Sequence, residues 1–269
     1  MSSLDFIIDG IRFSYSSLNT YHTCPWCFKL TYIDREDRVE NYFAQYGLLI
    51  HETLEKYFSG ELDIFELTSY YEVNYNYKIL TPPPPYPPGM EDRYKKAGID
   101  FFNSFSFDRE RYDILLDEDT IEFDFTIPKF KKIAFTARPD LVLFNKEKGD
   151  FSLYDFKTSA PFRVDKRSGK EIVDQEKLDG YYRQMYLYAY AIRNYRFIPL
   201  DEITLWFTRP SRRETVSWCE KDEKKALTWL GKTVKDIYAD EEFQPNTSSP
   251  YFCNNLCSVR DKCIFKPEM

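Results

Sequence analysis

Asp155 and Lys157 stand one residue apart in "LYDFKTS", inside a stretch that otherwise reads as a buried strand. Side chains two positions apart on a strand share a face, so the carboxylate and the ammonium enter the same space. Asp140 comes just upstream, ending "IAFTARP" and opening "LVLF", and the turn "KEKGD" between the two strands makes a hairpin that sets its carboxylate beside Asp155. Two neighbouring carboxylates repel unless a cation joins them. Hard oxygen ligands suit Mg2+ or Mn2+, which polarises a phosphate and activates water while the lysine steadies developing charge. A strand-edge ion pair is the plain alternative for Asp155 and Lys157 taken alone; the added acid and hairpin favour the cation.

The thiols are the second chemical signal. Of six cysteines, Cys24 and Cys27 lie near the start, Cys219 stands by itself, and Cys253, Cys257 and Cys263 crowd into "YFCNNLCSVRDKCIF". That tail is too short to need three buried thiols for packing. Without an export signal the thiols are expected reduced, as core filler or ligands; Cys219 reads as packing.

These groups need a scaffold. A chain of 269 residues with 43% hydrophobic and 18% aromatic residues has material for a filled core. Its net charge of −7 speaks against uniform nucleic-acid affinity but says nothing of local basic patches. The N-terminus "MSSLDFIIDG" carries no basic-then-apolar leader, and no run approaches membrane-helix length, so a cytoplasmic protein without membrane contact is expected.

"LDFIIDGIRFSYS" reads as a short strand and turn, and Ser16 or Ser17 as the cap of a helix that Cys24-Pro25 ends. Helical spacing of Leu49, Ile50, Leu54, Tyr57 and Phe58 predicts a helix from Gly47 to Gly60. Residues 61–112 read as a helical, aromatic-rich insertion broken by the proline run "TPPPPYPPG". "TIEFDFTI", "IAFTARPDLVLFN", "FSLYDFKTS" and "EITLWFTRP" have strand character, with a helix from about 175 to 196 before the last. The pattern predicts an α/β fold with a central mixed β-sheet flanked by helices. The expected organisation is one domain: an N-terminal segment (1–60), the insertion (61–112), the core (113–240) and a cysteine-rich C-terminal segment (241–269).

Five blocks, in order, resemble the PD-(D/E)XK nucleases, in particular their RecB-like branch: "SYSSLNTYHTCPWCFKLTYI", "GLLIHETLEKYFSG", "ARPDLVLF", "LYDFKTS" and "RQMYLYAYAI". The resemblance implies a restriction-endonuclease-like core in which His51, Asp140, Asp155 and the backbone carbonyl of Phe156 bind the metal and Lys157 positions the attacking water. A lone helix histidine is more often a core or surface residue, yet Glu55 lies one turn below His51 on the same face and fits a supporting carboxylate. Gln184 and Tyr188, four apart on a helix with Tyr181 adjacent, are implied to contact DNA; an amphipathic tyrosine stripe is the plain alternative.

The cysteines are similar to those of AddB-type and CRISPR-associated exonucleases, which implies a [4Fe-4S] cluster on Cys24, Cys253, Cys257 and Cys263. The C-x3-C-x5-C spacing departs from the family pattern, and Cys27 is extra. A Zn2+ site using Cys24, Cys27 and two tail cysteines therefore stays open. "KFKK" (129–132), "DKRSGK" (165–170) and "RPSRR" (209–213) are either solvated loop charge or parts of a groove for a nucleic-acid backbone.

Together these features predict a metal-dependent DNA exonuclease acting on single strands or duplex ends, standing alone or beside a helicase or recombination partner, since no P-loop is present. Its rivals are a binding subunit that keeps the fold without the chemistry, and a sequence-specific endonuclease, for which no recognition domain is visible.

Overall fold

The computed structural model describes residues 3–165 and 167–268. The first elements are α1 (Ser3–Asp9), β1 (Phe13–Ser14), α2 (Tyr15–Thr23), α3 (Pro25–Phe28), α4 (Tyr42–Phe58), α5 (Leu67–Lys78) and α6 (Met90–Ser104). Strands β2 (Tyr112–Asp117), β3 (Ile121–Thr126), β4 (Lys132–Ala137), β5 (Leu141–Asn145), β6 (Asp150–Lys157), β7 (Phe162–Val164) and β8 (Glu171–Val173) follow. The chain continues through α7 (Gln175–Ala191), β9 (Glu202–Thr208), β10 (Ser211–Ser217) and α8 (Glu220–Ala239). Among the described residues, no helix is long and apolar enough to cross a membrane.

The chain divides into two compact units: residues 1–41, 121–137 and 224–269 form one, and 42–120 with 138–223 form the other. The first holds a small sheet ordered β1-β4-β3. In β3 burial alternates strictly, with Ile121, Phe123 and Phe125 inward, as its apolar/polar alternation predicts. The expected strand over "LDFIIDG" is instead helix α1, because only Phe13 and Ser14 find a partner, pairing in parallel with Phe135 and Thr136. Helix α2 also starts earlier than expected. Its cap is Ser14, whose Oγ accepts from Ser17 N–H at 3.2 Å while Ser17 Oγ accepts from Ser14 N–H at 2.9 Å, a reciprocal capping box.

The second unit is built on a mixed five-stranded sheet, β10-β9-β6-β5-β2. β6 and β9 run parallel, with α7 as the crossover between them, while β5 and β2 are antiparallel additions. The continuous strand expected over "IAFTARPDLVLFN" divides in two. β4 ends at Ala137 in one sheet and β5 begins at Leu141 in the other, because Arg138, Pro139 and Asp140 leave the ladder. β10 occupies residues expected to be a basic loop, since pairing with β9 fixes Ser211 to Ser217.

Helix α4 buries Tyr46, Leu49, Ile50, Leu54, Tyr57 and Phe58 in one cluster with Phe101, Phe102, Phe105, Leu141, Phe156 and Trp206. Each such side chain contributes about 1.5–3 kcal/mol on leaving water. α4 begins at Tyr42, earlier than the expected Gly47, because Tyr42 is itself buried and hydrogen-bonded to Tyr75 at 2.6 Å. Gly60, at φ +85°, serves the expected stop. Helices α5 and α6 flank the proline run and touch closely at Gly98, where an added Cβ would lie 2.2 Å from the Tyr71 ring. Gly98→Ala is therefore expected to destabilise the fold by ~1–3 kcal/mol despite alanine's better helix propensity. Denaturant unfolding checks this; an unchanged or raised midpoint would show that α5 and α6 yield freely.

Candidate active site

Four elements of the second unit deliver the site. α4 carries His51, the residue after β2 is Glu118, Asp140 opens β5, and Asp155 and Lys157 end β6. The side chain of Phe156, between them, turns to the opposite face and packs on Phe58 and Trp206. That anchors the strand so that its other face presents acid and amine.

His51 Nδ1 lies 3.5 Å from Glu118 Oε1 and 3.6 Å from Asp140 Oδ2. One ligand atom from each of His51, Glu118 and Asp140 falls within 4.8 Å of the others. Asp140 Oδ2 also accepts the backbone N–H of Phe156 at 2.6 Å, which ties the loop acid to the middle of "DFK". Lys157 Nζ lies 2.6 Å from Asp155 Oδ2 and donates to Gln184 Oε1 at 2.8 Å. Gln184 Nε2 donates in turn to Tyr188 Oη at 2.9 Å.

Glu118 is the residue that sequence reasoning missed. It adopts φ +55°, a region that costs a non-glycine residue about 1 kcal/mol or more. Its N–H donates to Asp140 O at 3.0 Å, and Arg138 Nε donates to its carbonyl at 3.1 Å and forms an ion pair with its carboxylate at 2.8 Å. The clamp holds Glu118 toward His51. Glu55, the carboxylate expected to support His51, is instead exposed and is not among the residues brought together.

Burial raises the Asp140 carboxyl to about 7, with the Asp155 charge adding to the effect. Burial alone would lower His51, but the Asp140, Glu118 and Asp155 carboxylates outweigh it and lift the imidazole to about 9. The phenol of Tyr188 is pushed up by burial and then by Asp155, so it stays an O–H. Asp155 Oδ2 is buried and makes no well-aligned hydrogen bond, despite the short ion pair with Lys157. An underserved buried carboxylate oxygen, two further carboxylates and an imidazole are a donor set that fits a hard divalent cation. The Phe156 backbone is joined to this set through its N–H.

A cation must displace the proton on His51 and, at lower pH, that on Asp140. Binding is expected to release about one proton near pH 8 and about two near pH 6, with affinity rising throughout that range. Calorimetry of Mn2+ binding in buffers of different ionisation enthalpy measures this; release independent of pH would remove His51 and Asp140 from the ligand set.

The cysteines lie in the first unit. Cys24, Cys27, Cys253, Cys257 and Cys263 line one cavity with Trp26, Leu30, Phe252 and Val259. Cys257 Sγ is 3.6 Å from Cys27 Sγ, and this contact draws the Cys257 thiol down to about 7. Yet among the described residues no three sulfur atoms come within 4.8 Å of one another. Four thiolates around zinc stand about 3.8 Å apart, so the described sulfurs are not drawn together as a zinc shell would hold them, and the arrangement does not show the expected cluster. Cys219 belongs to the other unit. "KFKK" is engaged within the first unit: Lys131 pairs with Asp9 at 2.7 Å and Lys132 with Asp124 at 2.8 Å.

A family model described as the PD-(D/E)XK nuclease superfamily matches residues 12–264. The chain is 13% identical to a protein of known structure from Eubacterium rectale described as a candidate exonuclease, covering 99% of this chain and 93% of that one with a TM-score of 0.53. The two share a fold. A second solved structure, that of SSO0001, is also 13% identical over 82% of this chain and 97% of that one, with a TM-score of 0.35. No curated protein matches the chain.

Proposed function

Since the chain belongs to the PD-(D/E)XK nuclease superfamily, we propose that it is a Mg2+- or Mn2+-dependent deoxyribonuclease, an exonuclease acting on single strands or duplex ends. The observation that carries this is the meeting of His51, Glu118 and Asp140 beside the Asp155–Lys157 pair. His51, Asp140 and Asp155 hold the cation with the Phe156 carbonyl, and Glu118 adds a carboxylate. The bound cation supplies Lewis acidity at the phosphate and favours ionised water.

The chain's own groups do the positioning. Asp155 and Gln184 each occupy one direction of the Lys157 ammonium, leaving its remaining N–H to orient water and to meet charge developing on phosphorus. Tyr188 accepts from the Gln184 amide, which fixes the carbonyl end of Gln184 toward Lys157 and leaves the phenolic O–H able to donate to a substrate phosphate.

End-labelled single- and double-stranded DNA incubated with Mg2+ or Mn2+ tests the reading. Mononucleotide or short products released stepwise from one end are expected; no cleavage with either metal overturns it. The cysteine cavity is read, separately, as the seat of a [4Fe-4S] cluster on Cys24, Cys253, Cys257 and Cys263. Support comes from the shared cavity and from the need of a cubane for thiols set wider than those of one ion. Anaerobically prepared protein should be brown, with absorbance near ~400 nm. Colourless protein holding stoichiometric zinc would replace the cluster with the metal alternative.

A further inference from the structure

Residues 61–112 match none of the recognised blocks, yet their helix α6 walls a cleft of about 500 Å³. The opposite walls are Ala160 and Phe162, just beyond β6, and Arg209 and Pro210, just beyond β9. Because β6 and β9 are parallel and Lys157 pairs with Phe207, the cleft opens at the strand ends that carry the reacting amine. Ala160 is three residues past Lys157, at most ~10 Å of chain.

The lining is built for an anion with flat groups attached. It offers Arg93, Lys96 and Arg209 against one carboxylate, Asp100, which Lys96 already engages at 2.8 Å. Arg93 is exposed and donates only to the carbonyls of Pro88 and Pro87, so its charge is uncompensated by any carboxylate among the described residues. The Arg209 guanidinium lies 3.8 Å over the Tyr94 ring, and that of Arg212 lies 3.9 Å over Phe162. The Arg209 stack sets an aromatic plane beside positive charge, whereas Arg212 is paired with Glu171 and Glu214 and serves to hold the Phe162 ring. Lys177 donates to Ser159 Oγ at 2.6 Å and to Ala160 O at 3.2 Å, and Tyr181 donates to Ser159 O at 2.6 Å, fixing the loop that joins site to cleft.

We propose that this cleft seats the single strand on one side of the reacting phosphate, with Arg93 and Arg209 on backbone phosphates and Phe162 under a base. The volume falls in the ~300–1,000 Å³ range of small-ligand pockets. It has room for a nucleotide or two. Stacking planes with backbone cations are the general means of holding a single strand without reading its sequence. The proposal rests on the nuclease reading and adds to it the strand form selected and the residues that select it.

The test is anisotropy of a labelled twelve-residue oligothymidylate with Ca2+ replacing Mg2+, comparing the wild-type chain with Arg93→Glu and Arg209→Gln over a salt series. Each variant should bind ~5-fold or more weakly, with the salt slope reduced by about 0.7 per lost phosphate contact. Binding of a blunt duplex should be unchanged. Arg93 is an exposed side chain, so Arg93→Glu keeps the fold. As a second readout, a photoreactive thymidine oligomer should cross-link to peptides within 90–104 or 159–164. Unchanged affinity and slope, equal losses on blunt duplex, or cross-links elsewhere overturn the cleft while wild-type cleavage leaves the nuclease standing. A wild-type chain that cleaves no strand overturns both.

Discussion

Lys157→Ala is expected to reduce cleavage by ~10³-fold or more, the upper part of the range for a positioned proton-handling or charge-stabilising group. Lys157 is the only cation within ion-pair distance of Asp155 among the described residues, and it joins β6 to α7 through Gln184. On the proposed mechanism its loss removes the donor offered to the reacting phosphate, and it leaves Asp155 buried without its ion pair. Oligonucleotide binding in Ca2+ should persist, since binding draws on charges outside the site. Single-turnover cleavage at saturating cation measures the effect. Activity within tenfold of wild type would remove Lys157 from the chemistry.

Asp140→Asn should abolish detectable cleavage and, without metal, raise the thermal midpoint. The Asp140 carboxyl is held at about 7 in the folded chain, first by burial and then by Asp155, against about 3.9 in an unfolded one. A group raised in this direction costs stability when ionised, so wild-type stability falls as pH climbs from about 4 to 7. Asparagine removes that cost and still accepts the Phe156 N–H. Part of the gain is lost because His51⁺ gives up its largest favourable partner. About 2 kcal/mol remains, or ~4–8 °C at pH 8. The gain should disappear near pH 4, where wild type is protonated as well. Calorimetry with chelator at both pH values distinguishes this outcome; a variant less stable than wild type at pH 8 would show that His51 pairing, not carboxylate burial, dominates the site.

How much was legible varies by residue. Asp155 and Lys157 could be placed on one face from the two-residue period of a strand, and Gln184 with Tyr188 from helical spacing; both pairs are as expected. Asp140 does lie close enough to Asp155 to feel its charge, but by a route other than the expected one, since it sits in a bend between β4 and β5 and not in a continuous strand. Glu118 and β2 were not found. In "YDILLDED" the apolar run Ile114, Leu115 and Leu116 hides the alternation of burial that the strand shows, and nothing local announces that Glu118 will take a left-handed backbone. Its only sequence signal is an acid that follows a short apolar run before a strand. Glu55 was misplaced for the complementary reason: position on a helix face says which way a side chain points, not which element fills the space opposite.

The sequence by itself determined what repeats at short range: the faces of β6, α4 and α7, the proline break and the metal-capable residue types. These follow from strand and helix periods and from side-chain chemistry, which act over a few residues. Only the tertiary structure decided which acid meets His51, that the thiols share a cavity without closing a shell, and that α6 walls a cleft just beyond β6. Those outcomes depend on pairing register and packing between segments far apart in the chain, and burial in that packing is also what sets the site's proton affinities.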